Sequence, residues 1–208
     1  MHPQPPRRTT HAYGTPRNHL VYDRWGSFGR PVVLLHGLLY DRTMWWPVAA
    51  DLALSSSCSV IAVDLPGHGQ SAPRGDYDLD ALTQDLAVLI AGLDLHRAPV
   101  VVGHAESALL ADGFAASYAT RAVLTFDEPV EEPSDCVDQH LAAADLGAIP
   151  DAYRQFAVAR RDAGLLRAYR CWFSAKARPH RVSPTRPRSG FPHLRAPASF
   201  AATLRDLL

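Results

Sequence analysis

The sequence is poor in cysteine, with Cys58, Cys136 and Cys171 alone among 208 residues. An odd count without a C-x-x-C pair argues against a disulfide framework and against a zinc site. A reducing, cytoplasmic compartment is expected, with no metal and no cofactor. An excess of either charge is also missing: 21 Lys and Arg stand against 21 Asp and Glu. That balance removes any general pull toward nucleic acid or an anionic membrane. Arginines do gather late, from Arg160 and Arg161 to Arg188 and Arg195, and read as solvated surface. Long apolar runs are lacking too. Met1 to Arg30 holds no signal-like h-region and no bilayer-length segment, so neither a leader nor a membrane span is expected. There is no internal repeat. What is present is apolar content, 47% over 208 residues, enough to bury one core. A disordered tail is expected over 1–18, where Pro3, Pro5, Pro6, Arg7 and Arg8 fall, followed by a single domain over 19–208.

The domain opens with alternation over 19–25, read as a half-exposed strand. Pro31-Val32-Val33-Leu34-Leu35 and Ser59-Val60-Ile61-Ala62-Val63 are short, wholly apolar runs bounded by turn formers. Such runs suit strands buried on both faces. Pro99-Val100-Val101-Val102 and Ala122-Val123-Leu124-Thr125-Phe126 repeat the pattern. Between them lie helical spacings over 44–54 (Trp45, Val48, Ala49, Leu52), over 78–93 (Leu79, Leu82, Leu86, Leu89, Ile90, Leu93) and over 105–117. Asp78 or Asp80 stands where a cap belongs. Strand alternating with helix predicts a parallel sheet with right-handed crossovers. After Pro129 the rhythm changes. Helices are expected over 135–147 and 150–173, then a Pro/Arg/Ser loop within 174–192, then a last helix over 197–208. No further apolar strand is visible after Phe126.

Four motifs punctuate this pattern. Leu34-Leu35-His36-Gly37-Leu38 ends the first buried strand. Asp64-Leu65-Pro66-Gly67-His68-Gly69-Gln70-Ser71 follows the second. Val101-Val102-Gly103-His104-Ala105-Glu106-Ser107 bridges the third strand and its helix. Gly190-Phe191-Pro192-His193-Leu194 precedes the last helix. In this order they resemble the α/β-hydrolase superfamily, of the esterase/lipase-like kind, over roughly 19–130 and the last twenty residues. The resemblance implies an α/β-hydrolase fold: a mostly parallel sheet flanked by helices, with cap-like helices over 130–175, a loop over 176–190 and the C-terminal strand unit missing.

It also implies a site. The elbow after Gly103 is where such proteins carry a nucleophile, on a sharp strand-to-helix turn. Ala105 stands there, and a methyl group cannot attack a carbonyl. Leu38 and Glu106 are the positions whose backbone N–H groups would form an oxyanion hole. Ser107 is two helical residues on, about 200° around, and faces away. Ser71 belongs to the supporting loop. Asp127, at the carboxyl edge of a parallel strand, is the candidate acid; the alternative is a cap. His193 is the candidate base, although it matches a second, structural histidine of the family's run and no histidine follows Gly190. His36 and His104 border the site. Trp45 and Trp172 would line it, with Trp46, Phe126, Tyr153 and Phe173; the alternative for all six is plain core. The functions implied are binding of a small apolar ester, acyl or carbonyl compound, with serine-hydrolase activity lost and a lyase, cyclase or isomerase-type step as one outcome. A non-catalytic ligand-binding module, or a truncated, degenerate hydrolase, is the alternative.

Overall fold

Six segments, the inner ones rich in valine and leucine, pair into one sheet in the computed structural model, which describes residues 7–16, 18–127, 136–142, 144–173 and 190–208. In chain order the main elements are β1 (Arg8–Tyr13), β2 (Leu20–Trp25), β3 (Arg30–Leu35), α1 (Trp46–Ser55), β4 (Cys58–Val63), α2 (Leu79–Gly92), β5 (Val100–His104), α3 (Ser107–Ser117) and β6 (Ala122–Phe126). Shorter helices follow: α4 (Val137–Ala142), α5 (Asp151–Arg154), α6 (Ala163–Ala168), α7 (Pro192–Arg195) and α8 (Pro197–Arg205). The strand order is β1-β2-β4-β3-β5-β6. The first two pairings are antiparallel; β4–β3, β3–β5 and β5–β6 are parallel.

The period of two along each strand divides the core. Val33, Leu35, Ile61, Val63 and Val101 face one side with α2, α3 and Trp172. Val32, Leu34, Val60, Ala62, Val100 and Val102 face the other with α1, α8 and Trp45. A one-residue slip would exchange the two sets, so the register is strongly specified. Asp78, rather than Asp80, caps α2, accepting from the Asp80 N–H at 3.0 Å.

Two expectations are corrected. The tail does not stay disordered throughout: residues 8–13 add a strand to the edge of β2, from Arg8 opposite Trp25 to Tyr13 opposite Leu20. Thr9, Thr10 and Tyr13 favour a strand, and an open sheet edge offers unpaired backbone groups to it. The Thr10 hydroxyl donates to Asp23 at 2.6 Å, and the Arg8 guanidinium lies 3.6 Å over the Trp46 ring. The continuous helix expected over 150–173 is broken. After α5 the chain runs without helix until Asp162 caps α6 by accepting from the Leu165 N–H. In that interval Arg160 donates its backbone N–H to the Leu39 carbonyl at 2.7 Å, tying the segment to the loop after β3. The expectations for 128–135 and 174–189 lie outside the described residues. Among the described residues no strand follows β6, and no helix is long and apolar enough to cross a membrane.

Candidate active site

The elbow forms as its sequence requires. At Gly103 a Cβ would meet the Ser107 carbonyl oxygen at 2.6 Å and the Ala108 Cα at 2.9 Å, so only glycine lets β5 and α3 close on each other. Ala105 then takes a left-handed φ of 52°. That conformation costs a non-glycine residue on the order of 1 kcal/mol. It is held by the Ala105 N–H, which donates to the Phe126 carbonyl at 3.0 Å. Residues 100–104 and 106–108 are buried and Ala105 alone is partly exposed. The turn thus displays residue 105 at the sheet's carboxyl edge, and what it displays is a methyl group.

Opposite the elbow, the loop after β3 comes close. A Cβ on Gly37 would stand 3.1 Å from the Ala105 Cβ. The Leu38 N–H, expected to hold an oxyanion, donates instead to the Glu106 carboxylate, with Leu38 N 3.1 Å from Oε2. Glu106 is 5% exposed. Its Oε1 lies 4.0 Å from the Nε2 of His140 on α4, within ion-pair range but beyond a hydrogen bond. Glu106 was expected beside the elbow through its backbone N–H and, with Asp127 and His104, as an acid–base group; its bond to the Leu38 N–H was not expected. The available signal was an acidic side chain entering a helix N-terminus, where the macrodipole favours it.

The acid and base do not assemble as expected. Asp127 follows β6 at φ 53° and is mostly buried. Its Oδ2 accepts from the Phe191 N–H at 3.0 Å and lies 3.5 Å from the Nε2 of His104, not of His193. His193 is fully buried, with its ring 4.4 Å from that of Trp45 and 5.4 Å from that of Phe126. Neither ring nitrogen has a hydrogen-bond partner among the described residues. Burial, and then the neighbouring His104, hold it well below the usual histidine range. The ring has no acid partner among the described residues and packs among aromatics.

His36 is likewise committed: Nδ1 donates to the Gly37 carbonyl at 2.8 Å and Nε2 accepts from the Leu65 N–H at 3.0 Å. Trp45 and Trp172 are fully buried on opposite faces of the sheet, and the Trp172 indole N–H donates to the Tyr77 carbonyl. They are core, not pocket lining. Ser107 is buried and donates to the His36 carbonyl; Ser71 donates to the Asp64 carbonyl and accepts from the Val21 N–H. Neither hydroxyl faces the elbow. His68 accepts from the Leu39 N–H at 3.0 Å, fixing the loop before Tyr40.

Beneath that loop, Arg42 lies between the fully buried carboxylates of Asp64 and Asp23 and also donates to Gln70. Burial opposes its charge, but the two carboxylates outweigh that and hold it protonated. Gly69 is required here, because a Cβ would overlap the Asp64 carboxylate. These bonds set the height of the loop that carries Leu38. No group of three or more His, Cys, Asp and Glu side chains among the described residues is placed to hold a metal ion. A groove of about 800 Å³ lies elsewhere, between β1, the turn before β3 and the end of α1, lined by Arg7, His11, Arg24, Phe28 and Leu54.

A mostly parallel sheet whose strand β5 ends in a left-handed elbow, facing the His-Gly loop after the neighbouring β3, defines a hydrolase-type α/β protein. The chain belongs to the alpha/beta hydrolase family, whose sequence profile matches residues 32–200. An uncharacterized protein of Mycobacterium tuberculosis is 39% identical over 93 residues, covering 44% of this chain and 26% of that protein. A non-heme chloroperoxidase of Streptomyces lividans is 37% identical over 112 residues, covering 50% of this chain and 36% of that protein. The chain thus matches only about a quarter to a third of the length of these curated relatives. A thermophilic esterase of Thermogutta terrifontis shares the fold, with a TM-score of 0.63 and 19% identity over 96% of this chain and 97% of that one.

Proposed function

We propose that this chain is a non-hydrolytic member of its family: it binds a small, largely apolar molecule at the elbow and carries out no serine-type acyl transfer. One observation carries the reading. Ala105 occupies the left-handed elbow with its turn intact, so the position is presented but holds no nucleophile. The base position agrees, because His193 is fully buried and has no hydrogen-bond partner among the described residues. The expected oxyanion hole at the Leu38 and Glu106 N–H groups finds less support, because the Leu38 N–H is already engaged by Glu106. A second reading, an acid–base step of lyase or isomerase type on a carbonyl compound, is favoured by the His104–Asp127 pair at 3.5 Å. It requires the carbonyl oxygen to displace Glu106.

A serine-directed fluorophosphonate is expected to leave the protein unlabelled, and short acyl esters to be hydrolysed at the buffer rate. Phosphonate-sensitive ester hydrolysis would end this reading. Ala105→Ser is expected to recover less than about a hundredth of an ordinary esterase rate, since a serine without its base loses most of its rate enhancement. Recovery to within tenfold in a kcat/KM measurement would show that a working base is in place.

A further inference from the structure

We propose that the elbow is a site for a ligand carrying N–H or O–H donors, a small alkylammonium ion foremost, with the Glu106 carboxylate as its anchor. The inference rests on the reading that no acyl transfer occurs at Ala105, and it names the class of ligand.

An oxyanion hole is a place for an acceptor, an oxygen about 3 Å from backbone N–H donors. In this chain the acceptor's place beside Leu38 is taken by the protein's own Glu106 Oε2, at 3.1 Å. A substrate carbonyl brought to the same point meets a filled position, and a developing oxyanion meets a like charge. At the Leu38 position the hydrogen-bonding sense is therefore reversed: a carboxylate accepts where an oxyanion hole presents a donor.

The carboxylate keeps capacity for a further partner. Two carboxylate oxygens offer about four acceptor sites. The Leu38 N–H uses one, and His140 Nε2 stands 4.0 Å from the other oxygen, too far to bond it. A carboxylate so placed, 5% exposed, is costly unless paired and hydrogen-bonded. A donor inserted between Glu106 and His140 meets that need with a charge-assisted bond.

Access and surroundings agree. Ala105, next to Glu106, is partly exposed, while Glu106 itself is 5% exposed. The Ala105 methyl offers neither a hydroxyl to compete for the carboxylate nor a charge to repel a cation. Burial, with the Glu106 charge adding to it, holds the Tyr40 phenol above its usual range, so Tyr40 stays protonated. Among the described residues, other ionisable groups on this edge include Asp127, a second carboxylate, the histidines that face the two acids (His104 for Asp127 and His140 for Glu106), and the buried His36 and His193 near His104. Ammonium ions fit an edge that holds two carboxylates and aromatic rings such as Phe126 and Phe191, which stand 5.1 Å from His104.

The test compares hexylammonium with hexanoate, equal in chain length and opposite in sign, by calorimetric titration of the full chain at neutral pH. Hexylammonium is expected to bind roughly tenfold more tightly than hexanoate, and to shift the Leu38 amide resonance. Glu106→Gln, nearly isosteric, is expected to lose roughly tenfold in hexylammonium affinity while hexanoate binding holds or improves. Hexanoate binding as tightly as hexylammonium, or binding of neither, overturns the proposal. So does a folded Glu106→Gln protein with unchanged hexylammonium affinity. Should that variant not fold, the comparison on the unaltered protein decides alone. Failure here is separable from failure of the non-hydrolytic reading, which ester hydrolysis and phosphonate labelling test without any ammonium ligand.

Discussion

At the scale of single residues, His193 and Glu106 show how little a motif position says about a side chain's work. His193 fills a motif slot, yet it is a buried ring tilted against Trp45 with two unpartnered nitrogens among the described residues. Leaving such atoms unpaired costs more than replacing them with carbon. His193→Leu is therefore expected to leave urea-derived stability unchanged or to raise it by about 1 kcal/mol. A loss greater than about 2 kcal/mol would show that the ring has a bonding partner after all. The elbow at Gly103 and Ala105 was legible in the sequence because backbone geometry at such a turn leaves few choices. The Glu106 contact was not, because whether an acidic side chain at a helix start points to solvent or to a neighbouring loop depends on the loop's position, which no local pattern encodes.

At the scale of elements, the loops after β3 and β4 are as determined as the strands. Arg42 is the reason, since it is the charge that both Asp23 and Asp64 face. Removing one member of a buried pair strands the others without solvent. Arg42→Ala is expected to cost about 3–5 kcal/mol in a denaturant titration. A cost below about 1 kcal/mol would mean that water reaches both carboxylates. Strands β3 to β6 were legible because buried parallel strands read as unbroken apolar runs, and β2 was legible from its alternation, although it is more buried than the half-exposed strand expected. Strand β1 was not, because its exposed face is polar, as in Arg8-Thr9-Thr10-His11, and its order comes from the β2 edge rather than from its own apolar content. The break between α5 and α6 was missed for a related reason. The pull of the Leu39 carbonyl on the Arg160 N–H is a tertiary effect with no trace in helical spacing.

At the scale of the whole molecule, three fully buried histidines set the response to acid. Burial holds His36 below the usual range, despite nearby Asp64, and holds His68 and His193 well below it. Each binds a proton more readily in the unfolded chain than in the folded one. Their contribution is therefore complete above a pH of about 6.5 and is lost as pH falls below it toward their lowered folded values. The free energy of unfolding, measured by urea titration over a pH series, is expected to decline on that limb by up to about 1.4 kcal/mol per pH unit for each histidine. A flat profile from about pH 7 to about pH 5 would show that these rings carry a proton in the folded protein. His193→Leu should make the decline shallower.

The left-handed turn at residue 105 has a consequence independent of alanine. Its shape is dictated by Gly103 packing on Ser107 and by the bond to the Phe126 carbonyl, neither of which involves the side chain at 105. Position 105 is thus a mounting point fixed by its neighbours. A thiol, a carboxylate or a spectroscopic label installed there is held on the same spot, beside Glu106 and opposite Gly37. The chain offers a prepared socket whose contents can be exchanged without rebuilding the sheet that carries it.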